Sequence, residues 1–180
     1  SVGAMYTRDI YNVVQKNMNE KAPSGTYNEQ PGRVYWTKNN YYDNPKTKTV
    51  IQLTNGDEKG YQYSFNAVLT KKFDFGFTGS FGYTYTMAKD MTANPGSSAA
   101  SVWQNNVAVN SLNDPGVSYS LFSTPHRLIA NASYEVAYAN MKTTVSLFYT
   151  GYQQGRFSYT YSNDMNGDGN YSDLMYVPAS

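Results

Sequence analysis

The stretch from Asp164 to Asp173 reads DMNGDGNYSD, and its oxygen-bearing side chains recur at alternate positions. Asp164, Asn166 and Asp168 follow the D-x-N-x-D-G spacing, with Gly169 where a calcium loop turns sharply. Ligands at alternate positions of a tight turn converge on one point, which suits a hard cation such as Ca²⁺. The twelfth position of such a loop is here Met175 rather than a bidentate Glu, and Asp173, two residues earlier, is the substitute ligand. Two expectations stand side by side: Ca²⁺ on Asp164, Asn166, Asp168 and Asp173, or an Asx- and Gly-rich turn that needs no metal. No other cofactor is required.

Bond chemistry has little support. His126 is the only histidine, in TPHR, and no partner lies near it in sequence, so a structural or interfacial role is expected. Asp9, Glu20, Asp43, Glu58 and Asp90 are scattered at loops or strand ends, where solvated charge is the default. The sequence holds no nucleophile elbow, phosphate loop or HExxH, and the expectation is that the protein is not an enzyme. A binding role has better candidates. Tyr35, Trp36, Tyr41, Tyr42 and Trp103 fall in polar, Asn-rich segments, as aromatics that capture a sugar or peptide would.

The chain has 180 residues, enough for one ordinary domain, with 14 basic and 13 acidic residues for a net charge of +1. That balance gives no reason to expect nucleic acid as a partner. There is no cysteine, which excludes disulfides and thiolate metal sites. Tyrosine is the abundant residue, at 19 copies beside 8 Phe and 2 Trp. Its apolar body and polar tip favour surfaces half in water and half out of it. No run approaches the length of a transmembrane helix. The mean hydropathy of −0.62 is compatible with a membrane barrel, whose lumen positions and loops dilute its apolar residues.

The elements that must position these residues are strands. From Phe73 to Met87 (FDFGFTGSFGYTYTM) the odd positions are aromatic, Met or Gly and the even positions small or polar, the period of a long two-faced strand. Tyr61–Thr70 (YQYSFNAVLT), 126–138 (HRLIANASYEVAY) and 141–152 (MKTTVSLFYTGY) alternate in the same way. Residues 4–16 are β-prone but imperfect, 49–54 are expected to form a short strand, and FSYTY (157–161) a closing one. Long loops are expected at 17–48, 88–125 and 153–180. Face parity predicts an odd connection near 71–74, with Tyr63 stacked on Tyr83, and a two-residue turn at 139–140. Short turns at one end and long loops at the other are the asymmetry of an outer-membrane barrel, and the uncharged centres of the apolar faces fit lipid exposure. A soluble β-sandwich with an aromatic core, serving as a carbohydrate- or ligand-binding module, is the alternative.

The segments KGYQYSFNAVLTKKF (59–73), FGYTYTMAKD (81–90), NDPG (113–116), TPHRLIANASYE (124–135), LFYTGYQQGRFSYTY (147–161) and NDMNGDGNYSDLMYVP (163–178) resemble, in order and spacing, the barrel of TonB-dependent outer-membrane receptors. The nearest likeness is to the Oar-like branch, whose members carry a carboxypeptidase-regulatory-like domain before the plug. It covers the chain well from about Asn55 and only loosely over 1–54. The resemblance implies an all-β fold: residues 1–180 as a segment of an antiparallel transmembrane β-barrel, about five strands of about 22, with long extracellular loops and short periplasmic turns. It implies active uptake of a scarce solute across the outer membrane of a Gram-negative bacterium. The partners it implies are outer-membrane lipid, the remainder of the barrel, and TonB acting through a plug that this segment lacks. On this reading the chain is a piece of something larger, without signal peptide or TonB-contacting box.

Overall fold

A computed structural model describes residues 1–30, 32–37, 40–42 and 49–177. Asp43 and parts of the loops expected at 17–48 and 153–180 lie outside them. The elements in chain order are β1 (Val2–Arg8), β2 (Val13–Asn17), β3 (Gly25–Thr26), β4 (Val34–Tyr35), β5 (Ile51–Asn55), β6 (Tyr61–Lys72), β7 (Phe77–Asp90), α1 (Ala99–Asn105), β8 (Ser118–Tyr119), β9 (His126–Tyr138) and β10 (Met141–Tyr152). Among the described residues the fold is mostly β, with antiparallel sheets and one short helix, as an all-β fold requires. The chain divides into two compact units, the first being residues 1–8, 61–88 and 121–156 and the second 9–60, 89–120 and 157–180.

The first unit is one meandering sheet in the order β1-β6-β7-β9-β10. Its register keeps like faces together. Phe77, Gly79, Phe81 and Tyr83 of β7 stand opposite Tyr134, Ala132, Ala130 and Leu128 of β9. Those β9 residues in turn oppose Val145, Leu147, Tyr149 and Gly151 of β10. On the other side Val2, Ala4 and Tyr6 of β1 oppose Ala67, Phe65 and Tyr63 of β6. Because side chains alternate along a strand, this parity collects aromatic and aliphatic groups on one face. Thr78, Ser80, Thr84, Asn131, Ser133, Thr144 and Ser146 fall on the other.

Both tight turns close at the same end of the sheet. Phe73 accepts from the Gly76 N–H at 3.2 Å and donates its own N–H to the Phe77 carbonyl at 2.8 Å, leaving a three-residue loop, Asp74–Gly76. This is the odd connection that parity requires, with glycine at its left-handed position, φ +93°. The turn closes later than 71–74, so the expected pairing slides: Tyr63 reaches Met87 Sδ at 2.6 Å and packs on Tyr85, not Tyr83. The second turn is the two-residue Ala139–Asn140, with Tyr138 opposite Met141.

Three other expectations need correction. The strand expected over 4–16 breaks at Asp9–Asn12, where the Asp9 N–H bonds the Gly60 carbonyl at 3.0 Å, and β2 then pairs with β5. FSYTY is not a strand; Thr160 makes a single bridge to Leu174. The segment 88–125 is more than loop, for it holds α1, whose start is fixed by Ser98 accepting from the Ser101 N–H while Ser101 answers the Ser98 N–H. The signal was legible as S-x-x-S, a weak form of the capping box.

The second unit gathers the three long connections around a small core of Trp103, Ala108 and Leu112, with Ile51 against it. The buried apolar residues are Val14, Trp36, Met91, Val102, Trp103, Ala108 and Leu112, and all belong to this unit. The sheet unit has none among the described residues.

Gly76 is the residue on which the first hairpin turns. A Cβ there would strike the Glu135 carbonyl, and φ +93° is unfavourable for any L side chain. Gly76→Ala is expected to destabilise the protein by about 1–3 kcal/mol, read as a lower denaturant midpoint at unchanged slope. An unchanged midpoint would contradict this turn.

Candidate functional site

The turn 164–173 is built by its own side chains. Asp164 accepts the N–H groups of Gly167 at 2.7 Å and Gly169 at 2.9 Å, one on each carboxylate oxygen. The Asn166 carbonyl oxygen of the side chain accepts from the Asp168 N–H at 2.9 Å, and Asp168 accepts from the Asn170 N–H at 2.8 Å. Asp173 closes the turn by accepting from the N–H of Met165 at 2.9 Å. Short side chains whose acceptor oxygen stays close to the backbone suit this bonding, which is why Asp and Asn fill such turns. Gly167 (φ +80°) and Gly169 (φ +85°) supply the left-handed positions.

Other segments of the same unit lock onto the turn. Trp36 donates its backbone N–H to the Asn166 carbonyl at 2.7 Å, and Tyr27 donates its hydroxyl to the Met165 carbonyl at 2.9 Å. The Asp168 carbonyl accepts from the Tyr41 hydroxyl at 3.1 Å and from the Asn40 amide. Asn166 donates to the Asn110 carbonyl at 3.0 Å.

The electrostatics are unusual for a polar loop. Asn166, Asp168 and Asp173 are buried, and so are Glu20 and Arg33, which are remote in sequence. Arg33 Nη2 stands 3.8 Å from Asp173 Oδ1, an ion pair too long for a hydrogen bond. Among the described residues its Nε and Nη2 have no hydrogen-bond partner, nor has Glu20 Oε1. Burial, reinforced by the charge of Asp168, pushes the Glu20 carboxyl up to about 7, against a weak bond from Ser111. Burial also pushes Asp168 up to about 6; the Asn170 N–H offsets part of this, while Asp173 and Asp164 add to it. Asp173 is raised by burial even though two N–H groups and Arg33 favour its ionised form. One guanidinium therefore faces more buried carboxylate than it neutralises.

Of the residues expected from sequence, Asp164, Asn166, Asp168 and Asp173 do come together in one turn. Their oxygens are engaged by N–H donors, and among the described residues no group of three or more His, Cys, Asp or Glu is placed to hold a metal ion. The Ca²⁺ expectation thus rests on the spacing alone. The aromatics do not make one capture surface. Trp103 is 2% exposed and donates its indole N–H to Asn113 at 2.9 Å; Trp36 is 6% exposed and donates its own to the Lys21 carbonyl at 2.8 Å. Both are interior anchors, because an indole in a small core buries more apolar area than any other side chain. Tyr35 packs on Tyr27, Tyr41 braces Asp168, and Tyr42 alone is strongly exposed.

His126 begins β9 with Nδ1 2.6 Å from the Tyr83 hydroxyl and its ring against Tyr85, which suits the structural role expected of it. Glu20 was expected in solvent and is buried; Arg33 drew no expectation at all. Gln30, which accepts from Arg33 Nη1 at 3.2 Å, is local, but the contacts that mark these residues, Ser111 for Glu20 and Asp173 for Arg33, lie more than 90 residues away.

The raised carboxyls give a pH dependence of known sign. A group whose pKa is higher folded than unfolded stabilises fully below its unfolded value and ceases to as pH rises through the folded value. The contribution of these groups to the second unit is therefore full at or below about pH 4 and is lost as pH rises to about 7. Amide exchange of its core against pH reads this, and Glu20→Gln should flatten much of the slope. Protection that rises from pH 5 to 8 would contradict the assignment. Comparisons with protein-family models, with curated proteins and with solved structures find no match.

Proposed function

We propose that this chain is part of the wall of an outer-membrane β-barrel of the TonB-dependent receptor kind. It would supply five membrane strands and the long connections that meet solute outside the cell. The observation that carries this reading is the apolar face of the sheet. Phe65, Leu69, Phe81, Val145, Leu147 and Tyr149 are each about half exposed or more, and no second layer covers them within the sheet unit. A water-soluble domain buries such a face against another layer, whereas a bilayer leaves it bare.

Further details support the same reading. Tyr134 and Tyr138 with Phe73, Phe75 and Phe77 lie toward the short turns, and Tyr63, Tyr83 and Tyr85 toward the long connections. Between them stand Gly79, Ala132 and Leu147 in one row and Phe81, Ala130 and Tyr149 in the next, an uncharged band of the kind a bilayer interior meets. β6, β7, β9 and β10 run 12, 14, 13 and 12 residues, sufficient for a tilted crossing of about 9–11. The outer edges of β1 and β10 have no strand beside them among the described residues, and in a bilayer each must be paired by further barrel. In this reading the barrel does no bond chemistry. Transport of a solute such as a sugar or peptide would be driven through a plug and TonB, and the partners are lipid and the rest of the barrel.

The two faces make the test. Phe81→Arg is expected to cost about 2–4 kcal/mol when the complete barrel is unfolded from liposomes, and Ser80→Arg much less. Equal penalties would overturn the lipid-facing assignment. So would a monodisperse, detergent-free species of these 180 residues with protected sheet amides, which would favour a soluble binding module.

A further inference from the structure

Glu20 lies just after β2, far in sequence from the turn 164–173, yet its carboxylate is buried and one of its oxygens has no partner. We propose that Glu20 and Asp168 together hold one Ca²⁺ ion, with neutral oxygens of the Asn110–Ser111 segment completing the set. The inference is independent of the transport reading. It also places the ion on a residue that the spacing of the turn does not contain.

Contacts within the second unit bring the two carboxylates to one place. Ser111 Oγ donates to Glu20 Oε2 at 3.4 Å. The Asn110 carbonyl next to it accepts from Asn166 Nδ2 at 3.0 Å, and the same Nδ2 stands 3.4 Å from Asp168 Oδ2. From the other side Glu20 forms a backbone bridge with Tyr41, whose hydroxyl reaches the Asp168 carbonyl at 3.1 Å. Asp168 is accordingly the charge that Glu20 feels.

The carboxylate oxygens there are of two kinds. Asp164 gives both of its oxygens to N–H groups of its own turn, and Asp173 has N–H donors and Arg33. Glu20 Oε1 has no hydrogen-bond partner among the described residues, although Glu20 is only 9% exposed and Asp168 3%. Asp168 Oδ2 has the long contact from Asn166. A buried carboxylate oxygen without a donor is costly unless positive charge meets it. Arg33 faces Asp173, which leaves Glu20 and Asp168 as two buried carboxylates without a cation among the described residues. A water would supply hydrogen bonds and leave that charge in place, whereas a divalent ion cancels it. All the candidate ligands are hard oxygens. Carbonyl and hydroxyl groups drawn from separate segments suit the large, adaptable shell of Ca²⁺ better than the strict octahedron of Mg²⁺.

The experiment uses the full chain in detergent with Tb³⁺ as the probe, because Tyr41 beside Asp168 can sensitise its emission. Emission under tyrosine excitation is expected to saturate with Tb³⁺. Ca²⁺ should displace the probe at about 10⁻⁴–10⁻³ M, and Mg²⁺ should be at least about tenfold weaker. Glu20→Gln, which keeps the shape of the side chain, should weaken Ca²⁺ by about tenfold or more, and so should Asp168→Asn. If a variant misfolds, amide exchange of the unaltered protein serves instead: Ca²⁺ should slow exchange around Glu20 and Ser111 as well as in the turn 164–173. Four results would each overturn the proposal: no saturable displacement by Ca²⁺, equal displacement by Mg²⁺, unchanged Ca²⁺ affinity in Glu20→Gln, or protection confined to the turn.

Discussion

Every strand of the sheet has to keep its side-chain parity with the next, and the rest of the sheet unit follows from that constraint. A slip of one residue between any two strands would carry Phe or Leu to the Thr and Ser face. The two tight turns enforce the parity locally. Asp74–Gly76 joins two strands whose apolar sets share odd numbers, and Ala139–Asn140 joins evens to odds. The β7–β9 and β1–β6 pairings have no short turn to set them and are fixed by pairing alone. A face assembled this way keeps the ladders between neighbouring strands intact, yet it leaves a broad apolar surface exposed.

The second unit solves a different problem. It has little apolar material, and Trp103, Trp36, Val14 and Leu112 must do most of the burying. Polar side chains do the rest by replacing absent secondary structure. Asn17, Asn113, Asn166 and Asp173 serve backbone groups that no ladder or helix satisfies. That solution brings charge inside. Desolvation of Glu20 and Asp168 outweighs what Ser111 and Asn170 return to them, and a single buried guanidinium cannot balance the set.

Much of this was written in local pattern. The period of two in 61–70, 73–87, 126–138 and 141–152 determined four strands, their faces and the parity of both hairpins, because a strand's facing is set by its own sequence; the strand read from Phe73 begins only at Phe77, since Asp74–Gly76 form the turn. The spacing of Asp164, Asn166, Asp168 and Gly169 determined a self-closing turn, because each acceptor reaches only a few residues along the backbone. Only the tertiary structure decided which aromatics are interior: Trp36 and Trp103 look like Tyr42 in sequence, and their burial depends on segments far along the chain. Tertiary structure also decided that Glu20 loses its water and that Arg33 comes to face Asp173. Solvation and charge are properties of what surrounds a group, and those surroundings come from residues that no local window contains.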